Sequence, residues 1–192
     1  MGYMSVTIDP QFSIYDLVCR SRQASITLNN VRNMQLMSHK IEDRILNEQL
    51  NGFLVVGFQY FSRFYTRLET YQQLGKSGNQ AYVLGYPDVE PPDIEHVTFV
   101  PLKQSDLLIK DWFVIFHSPE YYTALIAKEV PHDNGERKYN ALWTFDLDII
   151  KISCDWLASQ LDVKIFADDE YDHMKHGEIM DDLLDEYLET DD

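Results

Sequence analysis

Residues 51–88 read NGFLVVGFQYFSRFYTRLETYQQLGKSGNQAYVLGYPD, and their pattern decides the fold. The apolar run from Phe53 to Phe58 leads straight into an amphipathic segment, Phe61 to Leu74. There Phe61, Phe64, Tyr65, Leu68, Tyr71 and Leu74 make a broad stripe at helical spacing. Gly75 and Gly78 are its expected stops. After a polar turn comes a second apolar run, Ala81 to Gly85, with Tyr86-Pro87-Asp88 at its C-terminal end. Both runs are apolar on both faces, as strands in the middle of a sheet are. Strand, helix, strand in this order predicts a parallel pair joined by a crossover helix.

Upstream, residues 1–11 read as an extended lead-in. Phe12 to Gln23 has the spacing of a short helix with Ser13 as its N-cap. ASITLNN breaks that period and predicts a turn at Asn29-Asn30. Met34 to Leu50 is a stronger helix, with Met34, Met37, Ile41 and Ile45 on one stripe and Asn51-Gly52 as its end.

Downstream, the pattern changes at His96. His96 to Leu102, Trp112 to His117, Thr123 to Val130 and Lys138 to Phe145 read as strands with short connections. Ser118-Pro119-Glu120 is a hairpin signal, and residues 131–135 are a surface loop. Asp146 is placed to cap a helix ending near Leu161. The expected architecture is α/β in a single domain. A mixed sheet starts with a parallel βαβ unit and continues with antiparallel strands, with helices packed on it.

Composition supports one globular domain. The chain has 192 residues, 45% of them apolar and 13% aromatic, which suffices for one sizeable core. No run approaches the ~20 apolar residues of a membrane span, and the N-terminus lacks the layout of a secretory signal. Cys19 and Cys154 are expected to be reduced thiols rather than a disulfide, which suits a cytoplasmic protein. A net charge of −16 argues against nucleic acid and anionic membranes as partners. That charge is concentrated: residues 168–192 hold 12 acidic residues and one lysine, a net of −11. The chain therefore divides into a lead-in (1–11), a body (12–167) and an acidic amphipathic tail (168–192).

Five phrases, in their order and spacing, carry a resemblance. They are MSHKIED (Met37 to Asp43), VVGFQYFSRF (Val55 to Phe64), YVLGYPD (Tyr82 to Asp88), DWFVIFHSPEYYTALIAKE (Asp111 to Glu129) and ALWTFD (Ala141 to Asp146). Together they resemble the DICT sensory domain, a signalling module common in cyanobacteria, over roughly Phe12 to Leu161. The resemblance implies a sensory or signal-relay role in two-component, cyclic-dinucleotide or light-response pathways. It brings no catalytic residue, ligand set or cofactor with it.

Several candidate sites stand in the residues themselves. His39 and Glu42, three apart on a helix, share a face, so a carboxylate there would orient the imidazole as a proton acceptor. A surface helix bridging its neighbours is the plainer reading. Gln59, Ser62 and Arg63 follow the first strand and Tyr86 and Asp88 the second, at the sheet edge where ligands of open α/β folds bind. This turn has no glycine comb, so neither a phosphate loop nor a dinucleotide fingerprint is present. Helix capping and a salt bridge to Arg63 would explain the same residues. Trp112, Tyr121, Tyr122, Trp143 and Phe145 suit a core or interface better than a cofactor pocket.

In the tail, His173 and His176 have a metal-compatible spacing among acids, though a solvated tail explains them equally, and no metal is expected. Ile179, Leu183, Leu184 and Tyr187 fall at helical spacing within those acids. Such a segment suits a basic groove on a protein partner, or folds back on its own body. The sequence as a whole points to a non-catalytic module acting through protein contacts, with homodimerisation open. A small enzyme using His39 with a carboxylate, or a chromophore-binding sensor, are the rivals.

Overall fold

The phrase that organises the sequence also organises the sheet. In the computed structural model, which describes residues 3–19, 25–28, 31–130, 138–164 and 170–189, Phe53–Tyr60 forms strand β2 and Gln80–Tyr86 forms β3. They pair in parallel, Leu54 opposite Ala81 and Val56 opposite Val83. Before them come helix α1 (Ile14–Val18), strand β1 (Ser25–Leu28) and helix α2 (Val31–Asn47). Between them run helix α3 (Phe61–Phe64), a 3₁₀ turn (Tyr65–Arg67) and helix α4 (Leu68–Lys76). After them come strands β4 (Val97–Pro101), β5 (Asp111–His117), β6 (Tyr122–Val130) and β7 (Lys138–Thr144), then helices α5 (Leu147–Leu161) and α6 (His173–Leu188).

Among the described residues, seven strands make one sheet in the order β1-β7-β6-β5-β2-β3-β4. β2, β3 and β4 are parallel; β5, β6, β7 and β1 continue from β2 in antiparallel pairs. The expected mixed α/β sheet is the one observed. β2 is its seam, parallel to one neighbour and antiparallel to the other.

Alternation along β2 sends side chains to two cores. Leu54 and Val56 pack with Met34, Met37, Ile41 and Ile45 of α2, with Tyr71 and Leu74 of α4, and with Ile179 and Leu183 of α6. Phe53 and Val55 face Ile14, Val18, Ile150, Cys154 and Leu157 of α1 and α5. The caps follow the expected chemistry. Ser13 Oγ accepts from Asp16 N–H, and Asp146 accepts from the N–H groups of Asp148 and Ile149 at 3.0 and 3.2 Å. Both cysteines are free thiols.

Four local expectations need correction. The stretch expected only to break the helical period contains strand β1, which pairs with β7 from Ser25↔Thr144 to Leu28↔Ala141, while the turn expected at Asn29-Asn30 lies outside the described residues. Four residues are too few to show a period; pairing with a neighbour makes them a strand. β4, expected to begin the antiparallel section, is parallel to β3. The helix at Phe12 is confined to Ile14–Val18, and residues 20–24 lie outside the described residues, as does the 131–135 loop. Gly75 lies inside α4 rather than ending it, where a Cβ would meet Glu95 O at 2.1 Å; it allows the helix to touch the next loop.

One buried acid makes stability pH-dependent. Asp111 is 1% exposed; its Oδ2 accepts from Ser13 Oγ at 2.8 Å and Tyr15 N–H at 3.3 Å, while Oδ1 has no partner among the described residues. Burial pushes its carboxyl up to about 7, against the pull of the Ser13 and Tyr15 hydrogen bonds. Folding then takes up a proton, so this group's contribution is full below the ordinary carboxylate range and fades as pH rises towards 7. Asp111→Asn, which mimics the protonated acid, should flatten that slope and stabilise the protein by ~2 kcal/mol at pH 8 but not at pH 4. Urea unfolding at the two pH values reads this, and an equal effect at both would refute it.

Candidate functional site

A cavity of about 360 Å³ opens beside the C-terminal end of β2, between α2 and the segment from α3 to α4. Its volume falls within the range of small-molecule sites. Val56, Gly57 and Phe58 of β2 form its floor with Trp112 and Val114 of β5 and Tyr139 of β7. Gln35, Ser38, His39 and Glu42 line it from α2, and Arg63, Thr66 and Arg67 from the crossover segment.

Sequence-local features bring these groups together. On α2, Gln35, Ser38, His39 and Glu42 sit three or four apart, so one stripe faces the cavity beside the stripe that enters the core. Arg63 and Arg67 are four apart on the other wall. β2 ends in a bulge: its register with β3 shifts between Gly57 and Gln59, and Gln59 has φ of 64°. For a non-glycine residue that conformation costs of order 1 kcal/mol. It turns the Gln59 amide inward, where Oε1 accepts from Arg63 Nη1 and from Tyr139 OH at 3.0 Å. The Gln59 amide nitrogen donates to Lys110 O and Glu129 Oε2, both at 3.3 Å.

Glu42 is 1% exposed, and both its oxygens are engaged. Arg67 Nε donates to Oε2 at 2.6 Å, and the Tyr71 hydroxyl donates to Oε1 at 2.8 Å. Arg67 also donates to Asp43 Oδ1 at 2.8 Å. Burial pushes the Glu42 carboxyl up to about 7, opposed by Arg67 and the Tyr71 bond. His39 makes no hydrogen bond among the described residues; burial, and then Arg67, lower its pKa and favour the neutral ring. Glu42 is therefore bonded to Arg67 and Tyr71, not to His39.

The residues expected at the sheet edge separate. Arg63 lines the cavity, and Gln59, which does not, holds Arg63 and Tyr139 from behind the wall. Ser62 and Asp88 pair outside it, Ser62 N–H donating to Asp88 Oδ1 at 2.9 Å at the start of α3. Tyr86 packs edge-on against Tyr60 at 6.1 Å. His39 and Glu42, predicted as a separate constellation, share the cavity with Arg63. Ser38, Arg67, Trp112 and Tyr139 complete it. The signals for them are partial: helical offsets mark Ser38 and Arg67, whereas nothing local couples Trp112 or Tyr139 to α2.

The tail residues lie elsewhere. Ile179 and Leu183 are 3% and 0% exposed in the core beneath α6, with Leu184 and Tyr187 packed beside them. Glu186 binds Lys40 and Arg44 of α2 at 2.6 and 2.5 Å. His176 stacks on Tyr122 at 3.6 Å, and its Nδ1 accepts from Tyr122 N–H. Of the aromatic set, Trp112 lines the cavity; Tyr121 and Trp143 are buried core. Among the described residues there is no group of three His, Cys, Asp or Glu able to hold a metal ion, and no helix long and apolar enough to cross a membrane.

The sequence profile of the sensory domain in diguanylate cyclases and two-component systems matches residues 11–130. The chain belongs to the DICT family. The match takes in β2, β3, β5, α2 and the crossover, and so every cavity wall except that of Tyr139. Among solved structures, NucT from Helicobacter pylori is similar with a TM-score of 0.50 and 7% identity, over 74% of this chain and 98% of that one. At that identity the likeness is one of fold alone. No curated protein sequence matches the chain.

Proposed function

We propose that this DICT domain is a non-catalytic cytoplasmic sensor that takes up a small ligand in the cavity beside β2 and relays its occupancy by contacting another signalling protein. The observation that carries the reading is the cavity itself. It lies at the seam of the sheet, all of its lining except Tyr139 falls within the segment matching a sensory family, and it is lined by polar groups not all used up by the fold. Ser38 Oγ is buried there without a hydrogen-bond partner among the described residues.

Acid/base catalysis has less support. His39 has no carboxylate bonded to it, since Glu42 is held by Arg67 and Tyr71. The relay would use α6, whose apolar side is spent on the body but whose Asp181, Asp182 and Asp185 remain exposed to a basic partner.

The test is native mass spectrometry of the full chain purified gently from its own host. An adduct of a few hundred daltons is expected on the wild type and should be lost in Gln35→Trp, which fills the mouth of the cavity from an exposed position. A bare wild-type chain, or an adduct unaffected by that substitution, would sink the reading.

A further inference from the structure

Resting on that reading, we infer that the cavity's ligand is a small organic anion with a flat apolar body, its anionic group held by Arg63 and Ser38. Arg63 is the telling residue. The protein carries a net charge of −16, yet among the described residues no carboxylate lies within ion-pair distance of this arginine. Its partners are neutral: the Gln59 side-chain oxygen and the Tyr60 ring, whose centre is 5.0 Å from the guanidinium carbon. Both fix the direction of the guanidinium and neither cancels its charge.

Arg67, on the same wall, behaves oppositely, being bonded to Glu42 and Asp43. Of the two guanidinium groups that line the cavity, Arg67 is taken up by carboxylates, whereas Arg63 touches none directly among the described residues, Glu129 reaching it only through the Gln59 amide. The N-terminal end of α2 at Val31 adds partial charge of the same sign.

Ser38 supplies the second, independent observation. It is 4% exposed, lines the cavity, and its hydroxyl has no partner among the described residues. A buried hydroxyl left unpaired costs ~1–3 kcal/mol, which a ligand acceptor would recover. The β-sheet side of the lining is apolar and aromatic: Trp112, braced edge-on by Tyr139 at 5.8 Å, with Val56, Phe58 and Val114 on the floor. Such walls suit a flat hydrophobic body, while the forked guanidinium suits a carboxylate or other oxyanion. A cation would face Arg63, and a fully hydrophilic anion would leave the aromatic walls unused.

Three probes sharing one ring separate charge from shape: naphthylacetate, its neutral amide, and naphthylethylammonium. They are titrated into the full-length protein while the Trp112 indole N–H is followed by NMR. The acid should shift that signal and bind about tenfold more tightly than the amide, and the ammonium should not bind. Arg63→Gln should abolish the preference by weakening the acid alone, and Arg63→Lys should restore part of it. The thermal unfolding midpoint of each variant shows whether the fold is intact.

Equal binding of acid and amide, or acid binding untouched by Arg63→Gln in a folded variant, would overturn the anion assignment and leave the sensor reading standing. Preferred binding of the ammonium would reverse the assignment. Silence of the Trp112 signal to all three would overturn the assignment of a flat anionic ligand, while the adduct on the gently purified chain decides the sensor reading separately.

Discussion

Leu183→Ala is expected to cost about 3 kcal/mol of stability, and Leu183→Asp to undock the last helix altogether. Leu183 is fully buried on α6, inside the cluster that also holds Met37, Ile41 and Trp143. The alanine leaves a cavity among side chains that belong to the sheet. The aspartate places a charge inside an apolar cluster. Leu188, five residues further on and 65% exposed, is the internal control, and its alanine variant should change stability by less than about 0.5 kcal/mol.

Two further contacts should report undocking. The Trp143–Tyr187 ring pair at 6.0 Å would be lost, with a change in near-ultraviolet circular dichroism. The ion pairs of Glu186 with Lys40 and Arg44 would open as well, though as partly exposed pairs they contribute little alone. If urea unfolding gives Leu183→Ala and Leu188→Ala the same midpoint, α6 is not part of the core.

The second large effect concerns Arg67. Removing it strands Glu42, a buried carboxylate, with Tyr71 as its remaining partner. Breaking a buried pair in this way typically costs ~3–5 kcal/mol when the survivor stays charged. Glu42 has an escape, because its pKa is already raised to about 7 and loss of Arg67 raises it further. Below neutrality the acid is protonated with or without Arg67, and the cost reduces to lost hydrogen bonds. Above neutrality the wild type holds an ionised, paired Glu42, while the variant must either bury a lone charge or keep the proton.

Arg67→Leu should therefore cost about 1 kcal/mol at pH 6 and about 3 kcal/mol at pH 9. In a Glu42→Gln background the same substitution should cost about 1 kcal/mol at both. Denaturation curves for the four proteins form a double-mutant cycle. A pH-independent coupling, or none, would refute the buried pair as the organiser of this cavity wall.

The candidate site was half legible. His39 and Glu42 could be placed on one helical face, and Gln59 and Arg63 at the end of a buried strand, because both rest on fixed periodicities. That the two groups meet depends on α2 crossing near the end of β2, which no local spacing encodes. The Gln59 bulge is the sharpest case. A strict strand alternation would send Phe58 and Gln59 to opposite faces, but the inserted residue lets both reach the α2 side. Ser62 and Asp88 were legible as neighbours and ended as a capping pair.

By itself, the sequence determined the mixed α/β sheet, the buried parallel pair β2 and β3, the capped helix α5 and membership of a sensory family. Each depends on hydrophobic period, cap chemistry or an ordered set of phrases, all local properties of the chain. Tertiary structure alone decided that β1 is a strand, that β4 runs parallel to β3, that α6 closes the core and that a cavity lined by Arg63 and Ser38 exists. The physical reason is common to all four: each depends on surfaces distant in the chain coming together. Pairing converts four residues into β1; a segment of 10 residues without a helix brings β4 alongside β3; and burial of Ile179 and Leu183 outweighs the solvation that α6's acids would favour elsewhere.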